Sequence, residues 1–147
     1  MSGYVRAAGD RRSAKVHHGR DGTNADLKTA LQSHLNETKD QIKVLDRVFK
    51  SIGKTPKAEK CDAIEGLLKE CDGAVSEATG IAKNAIIIGC CQAIEHYEIA
   101  RYGTLREWAK SLGEHDAHEL LSGILDQEKA ANQKLTHLAV GSVNTGA

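Results

Sequence analysis

Apolar side chains recur every three or four residues along most of the chain, and the rhythm breaks at a few glycines and the single proline. From 24 or 26 to 52, Leu27, Leu31, Leu35, Ile42, Leu45, Val48, Phe49 and Ile52 mark one face of a long helix, with Asn24 placed to cap its start. Gly53 and Pro56 end it. A shorter helix is predicted over 58–71, with Ile64, Leu67 and Leu68 as its apolar face, and Gly73 and Gly80 interrupt the stretch after it. The third helix is predicted over 82–112. Its segment 85–94 (AIIIGCCQAI) is apolar nearly all the way round, so it should be the most buried stretch in the molecule. After Gly113, a fourth helix over 116–143 turns Leu120, Leu121, Ile124, Leu125, Leu135, Leu138 and Ala139 inward.

At ~1.5 Å per residue the three long helices would each reach about 40–45 Å, the matched lengths of an elongated bundle. Between the first and third long helices lie about 30 residues, too many for a tight turn, so that segment reads as a crossover carrying the short helix. The fold class is therefore all-α, of four-helix-bundle type. Composition agrees, with one Phe, one Trp and three Tyr, too few aromatics for an all-β sandwich. Twenty basic residues balance 20 acidic ones, which leaves no global field to draw nucleic acid or an anionic membrane. The longest strongly apolar run, 85–91, is far shorter than the ~20 residues a bilayer requires. With no signal peptide visible, the expected compartment is the cytoplasm, with Cys61, Cys71, Cys90 and Cys91 as reduced thiols and the last two as small core residues. Residues 1–23 stand apart. They hold five basic residues against two acidic ones and no helical stripe, and are expected to be a weakly ordered basic segment ahead of a helical domain over 24–147.

Candidate chemistry emerges where polar residues occupy places the stripes reserve for apolar ones. On the first helix His34, Glu37, Gln41, Val44 and Val48 share a face. On the third, Glu95 directly follows the most apolar stretch and shares a face with Glu98, Cys91 and Tyr102. On the fourth, Glu128 sits where the Leu121–Leu125–Leu135 stripe should continue, with Asn132 one turn on. Each long helix thus carries a carboxylate near its middle, on or beside its apolar face. Such a cluster is tolerable if a cation lies among the groups, for which carboxylate oxygens suit iron and manganese. The alternatives are shared protons, ion pairs or rotation to solvent. His115 and His118 lie among acidic residues at a helix start and read as a solvated turn. No nucleotide-binding or triad motif is present.

Four segments carry a family resemblance: 34–41 (HLNETKDQ), 60–67 (KCDAIEGL), 95–105 (EHYEIARYGTL) and 128–135 (EKAANQKL). In order and spacing, from about residue 24 to the end, the chain resembles the YciE/YciF family of bacterial ferritin-like proteins. The resemblance implies a ferritin-like bundle, a cytoplasmic stress-associated role and homodimers. It also implies a di-metal centre, of iron with manganese as the alternative, held by Glu37, Glu95, Glu98 and Glu128. His34, Gln41 and Asn132 would orient those ligands from behind. Oxidation of ferrous iron by dioxygen or peroxide would be its natural chemistry. The family pattern begins with a further long helix that contributes another glutamate, whereas residues 1–23 carry no Glu, so the first helix is divergent or lost. A second reading from another class is a metal-free helical interaction and dimerisation protein, with the glutamates as relics.

Overall fold

The structure, a computed structural model, describes residues 24–57 and 59–144. Four α-helices follow one another: α1 (Ala25–Ser51), α2 (Asp62–Glu77), α3 (Gly80–Ser111) and α4 (His115–Leu138). A π-helical turn, Ala139–Val143, continues α4. Among the described residues there is no strand. The basic segment 1–23 lies outside the described residues.

Local chemistry sets the ends. The Asn24 side chain accepts from the backbone N–H groups of Asp26 and Leu27, which otherwise lack helical partners. At the far end of α1, Gly53 takes φ 63°; its N–H donates to Lys50 O and that of Lys54 to Phe49 O. The α3–α4 turn repeats this closure: Gly113 has φ 74°, its N–H donates to Lys110 O, and that of Glu114 donates to Ala109 O. A side chain at either glycine would be strained in this left-handed conformation.

The crossover helix differs from its expected span. It begins at Asp62 and runs to Glu77, where the sequence pattern suggested 58–71. Asp62 and Glu65 favour the later start, since acidic groups suit a helix N-terminus. Gly73 is carried inside the helix at modest cost, and the break comes instead at Ala78, whose backbone is extended.

α4 lies between α1 and α3, and α2 packs on the other side of α3. Toward one end, Leu45 and Val48 of α1, Tyr102 and Ala109 of α3, and Leu121, Ile124 and Leu125 of α4 form an apolar cluster. Toward the other, Leu27, Ile88, Cys91, Leu135 and Val143 form a second. A third joins Cys61, which precedes α2, and Ile64 and Leu68 of α2 to Ile94 of α3. α3 is thus covered on two sides, which accounts for its being apolar nearly all round. Cys90, expected in the core beside Cys91, is only partly buried, because it faces α2 rather than the bundle interior.

Leu121 is 2 % exposed inside the first cluster. Leu121→Ala should therefore cost about 2–5 kcal/mol in urea denaturation, whereas Lys129→Ala on the exposed side of the same helix should stay within about 0.5 kcal/mol. Equal losses would contradict the packing described.

Candidate metal centre

Between the two end clusters the waist of the bundle is polar. Glu95 and Glu128 are both 0 % exposed, Glu98 is 7 %, Gln41 2 % and Thr38 3 %. The apolar stripes themselves carry these groups inward. On α4 the buried positions run Ala117, Leu121, Leu125, Glu128, Ala131, Leu135, so Glu128 occupies a core place by helical spacing. On α3 the same rule gives Ile88, Cys91, Glu95, Glu98 and Tyr102.

His34 enters this waist from α1. Its Nε2 lies 3.2 Å from Oε1 of Glu95 and 3.8 Å from Oε2 of Glu128. One ligand atom from each of these three residues falls within 4.8 Å of the other two, which is the spacing of donors around one ion. His34 Nε2 is enclosed and makes no aligned hydrogen bond. On the other side of the ring, Nδ1 lies 3.3 Å from Oε2 of Glu37. The Glu37 carboxylate is itself 46 % exposed.

Glu37 thus stands outside the group that contains Glu95 and Glu128, and His34, read from the sequence as a supporting residue, stands in it. Helical phase explains the exchange. The buried stripe of α1 runs Leu27, Ala30, Thr38, Gln41, Leu45, Val48, and His34 fits its step of four between Ala30 and Thr38. Glu37 is one residue off that line, about 100° around the helix from Thr38. The signal was present in the spacing of Ala30, His34 and Thr38, but alanine and threonine are weak markers of a core face. Glu98 is buried one turn beyond Glu95. Gln41 donates through Nε2 to Oε1 of Gln127 at 3.2 Å. Asn132 offers a buried Oδ1 without a hydrogen-bond partner among the described residues. The backbone oxygen of Asn132 accepts from Nε2 of Gln92, which also donates to Thr136 Oγ1.

The donor set suits a cation. Two carboxylate oxygens and one imidazole nitrogen match the preferences of iron and manganese, with room for further ligands. A cavity of about 140 Å³ between α1 and α4 reaches the group, walled in part by Ala30, Leu31, Ala131 and Leu135. The small side chains at 30 and 131 leave this opening. In the absence of a cation, two buried carboxylates beside one imidazole are expensive to hold.

The chain matches the family model described as "Domain of unknown function (DUF892)" over residues 17–147. It is 41% identical over 124 residues to Protein YciF of Escherichia coli (strain K12), covering 83% of this chain and 75% of that protein. Its structure is similar to that of the E. coli stress protein YciF, with a TM-score of 0.87 and 38% identity over 98% of this chain and 90% of that one. It is also similar to YcfI from Rhodopseudomonas palustris, with a TM-score of 0.82 and 43% identity over 90% of this chain and 83% of the other. The family resemblance and the all-α, ferritin-like bundle drawn from the four sequence segments are borne out.

The polar waist should cost stability when no metal is supplied. Replacing His34, Glu95 and Glu128 together by Leu, Met and Met should leave chelator-treated protein equally stable or about 1–4 kcal/mol more stable, whereas His34→Ala alone, which takes the imidazole from between two buried carboxylates, should cost about 3–5 kcal/mol. Urea midpoints decide; a triple variant that is strongly destabilised would show that the polar group itself holds the bundle together.

Proposed function

This chain belongs to the DUF892 family and is a relative of YciF, and from that premise we propose that it is a ferritin-like metal-binding protein whose ligands are His34, Glu95 and Glu128. The observation that carries the proposal is the meeting of three donors from three helices within 4.8 Å in the dry centre of the bundle. Iron is the favoured ion and manganese the alternative, on the nature of the donors. Glu98, buried one turn from Glu95, extends the donor set toward the second ion of a di-metal centre.

The residues have distinct tasks in this reading. Glu95 and Glu128 neutralise the ion's charge. His34 must present a lone pair at Nε2, so its proton belongs on Nδ1, where Glu37 Oε2 lies 3.3 Å away to accept it. Glu37 therefore fixes the tautomer and angle of the ring from outside the site. Thr38 donates to the His34 backbone oxygen at 3.0 Å, tying the two turns together. Bound iron would supply one-electron redox chemistry toward dioxygen or peroxide. The walls of the cavity, which include Ala30, Leu31, Ala131 and Leu135, limit access to small molecules. YciF is described as a stress protein, and we extend that role, in the cytoplasm, to this chain. No helix among the described residues is long and apolar enough to cross a membrane.

Anaerobic titration of chelator-stripped protein with Fe(II), and separately with Mn(II), followed by calorimetry, tests the reading. At least one ion should bind per chain. Glu95→Ala and Glu128→Ala should abolish binding, and Glu37→Gln should weaken it about 10–100-fold while leaving stoichiometry intact. Substoichiometric metal that is indifferent to all three substitutions would leave the metal-free interaction module as the better account.

A further inference from the structure

The second covered face of α3 carries its own chemistry. Cys90, Ile94 and Tyr97 are spaced by four and three, so they line up along the side turned to α2. α2 answers with Cys61, Ile64, Leu68 and Cys71, spaced by three, four and three. The pairs descend in antiparallel register. Sγ of Cys61 lies 3.3 Å from the Tyr97 hydroxyl. Leu68 and Ile94 share the α2–α3 apolar cluster. One further step along both stripes sets Cys71 and Cys90 opposite one another, near enough for the Cys71 thiol to help push that of Cys90 up. Both are partly exposed, whereas Cys61 and Cys91 are buried. Cys91 is next in sequence to Cys90 but about 100° round the helix. It packs with Leu27, Ile88 and Leu135 on the opposite side.

We propose that Cys71 and Cys90 form a reversible intramolecular disulfide between the crossover helix and α3, made by exchange with a low-molecular-weight disulfide. The thiolate of Cys71 attacks one sulfur of the small disulfide, forming a mixed disulfide and expelling one small thiolate. Cys90 then gives up its proton and attacks Sγ of Cys71, closing the bridge and expelling the second small thiolate. Two protein thiols are oxidised to one disulfide, and the small disulfide is reduced to two thiols that take up the two protons.

The order of attack follows from the surroundings. Burial, and then the hydrogen bond to Cys71, push the Cys90 thiol up to about 12, which makes it a poor first nucleophile. Once Cys71 is held in the mixed disulfide, its share of that rise disappears while the rise from burial stays, and the facing position of Cys90 on α3 directs its attack to Sγ of Cys71. The bridge would close residues 71–90 into a loop across the extended Ala78–Thr79 connection. It would also tie down α2, which among the described residues packs chiefly on α3, whereas α4 is held by both α1 and α3. This inference does not depend on metal binding.

The test uses the full chain, stripped with chelator and incubated with oxidised glutathione at mildly alkaline pH. The monomer mass should fall by two hydrogens. Non-reducing trypsin digestion should link the peptide 70–83 to the peptide 84–101, and fragment ions between positions 90 and 91 should assign the bond to Cys90. Cys71→Ser and Cys90→Ser should each abolish the link, with circular dichroism showing both variants still helical. The oxidised protein should melt at higher temperature, and dithiothreitol should reverse the rise. A bond to Cys91, a bond between chains, a mixed disulfide at Cys71 that never closes, or a lowered melting temperature would each overturn the proposal.

Discussion

Two fully buried carboxylates, Glu95 and Glu128, lie side by side in the middle of this bundle, and the rest of the design is organised around keeping them there. Helical spacing alone would place leucine at such positions, and leucine would be the cheaper choice. The acidic pair persists because apolar clusters above and below hold the helices in fixed phase. Neither carboxylate can rotate to solvent without unpacking a helix. A group so confined can only be neutralised locally, by the imidazole of His34, by protons or by a cation.

Position in the bundle decides which residues share that confinement. α4 lies between α1 and α3, so a side chain at its centre is surrounded by both neighbours. His34 reaches the same point from α1 because the small residue Ala30 and the hydroxyl of Thr38 flank it, where bulkier side chains would fill the space. Glycine-terminated helix ends at Gly53 and Gly113 set where the next chain segment departs. The site is consequently built from helix centres, the most rigid parts of the fold, and not from its connections.

Much of this was legible in the sequence, and the exceptions share a cause. The stripes of large apolar residues mark α1 and α3 to within two residues and the start of α4 to within one, although α4 passes into a π-helical turn at Ala139, and Glu95 and Glu128 stand out as acids in leucine positions. Glu37 shares the sequence line His34–Gln41–Val44–Val48, while the buried line of α1 passes through Thr38 in its place and leaves the Glu37 carboxylate 46 % exposed beside the His34 ring. Small and polar residues mark a core face weakly, and polar sites are where they concentrate. The extent of α2 was misjudged for a related reason: Gly73 looked like a terminus, but a single glycine lowers helix stability by only about 1 kcal/mol and packing on α3 overrides it. The place of Cys90 could not be read without knowing that α3 is covered on two sides.

That double coverage explains why α3 is apolar nearly all round over 85–94. Its inward stripe holds Cys91, Glu95, Glu98 and Tyr102; its outward stripe holds Cys90, Ile94 and Tyr97 beneath α2. The two stripes differ in what they tolerate. On the inner one, a displaced carboxylate loses partners on α1 and α4 together, so that face is fixed by packing at both ends. On the outer one, α2 packs chiefly on α3 among the described residues, and its register depends on Cys61 against Tyr97 and on Leu68 against Ile94, with Cys71 and Cys90 facing one another beyond them. Adjustment of α2 can therefore occur without displacing Glu95 or Glu98, because the apolar clusters that position those residues are formed by α1, α3 and α4 alone, with the π-helical turn that follows α4. The fold thus separates a rigid acidic centre from a more loosely held thiol-bearing flank, with one helix as the wall between them.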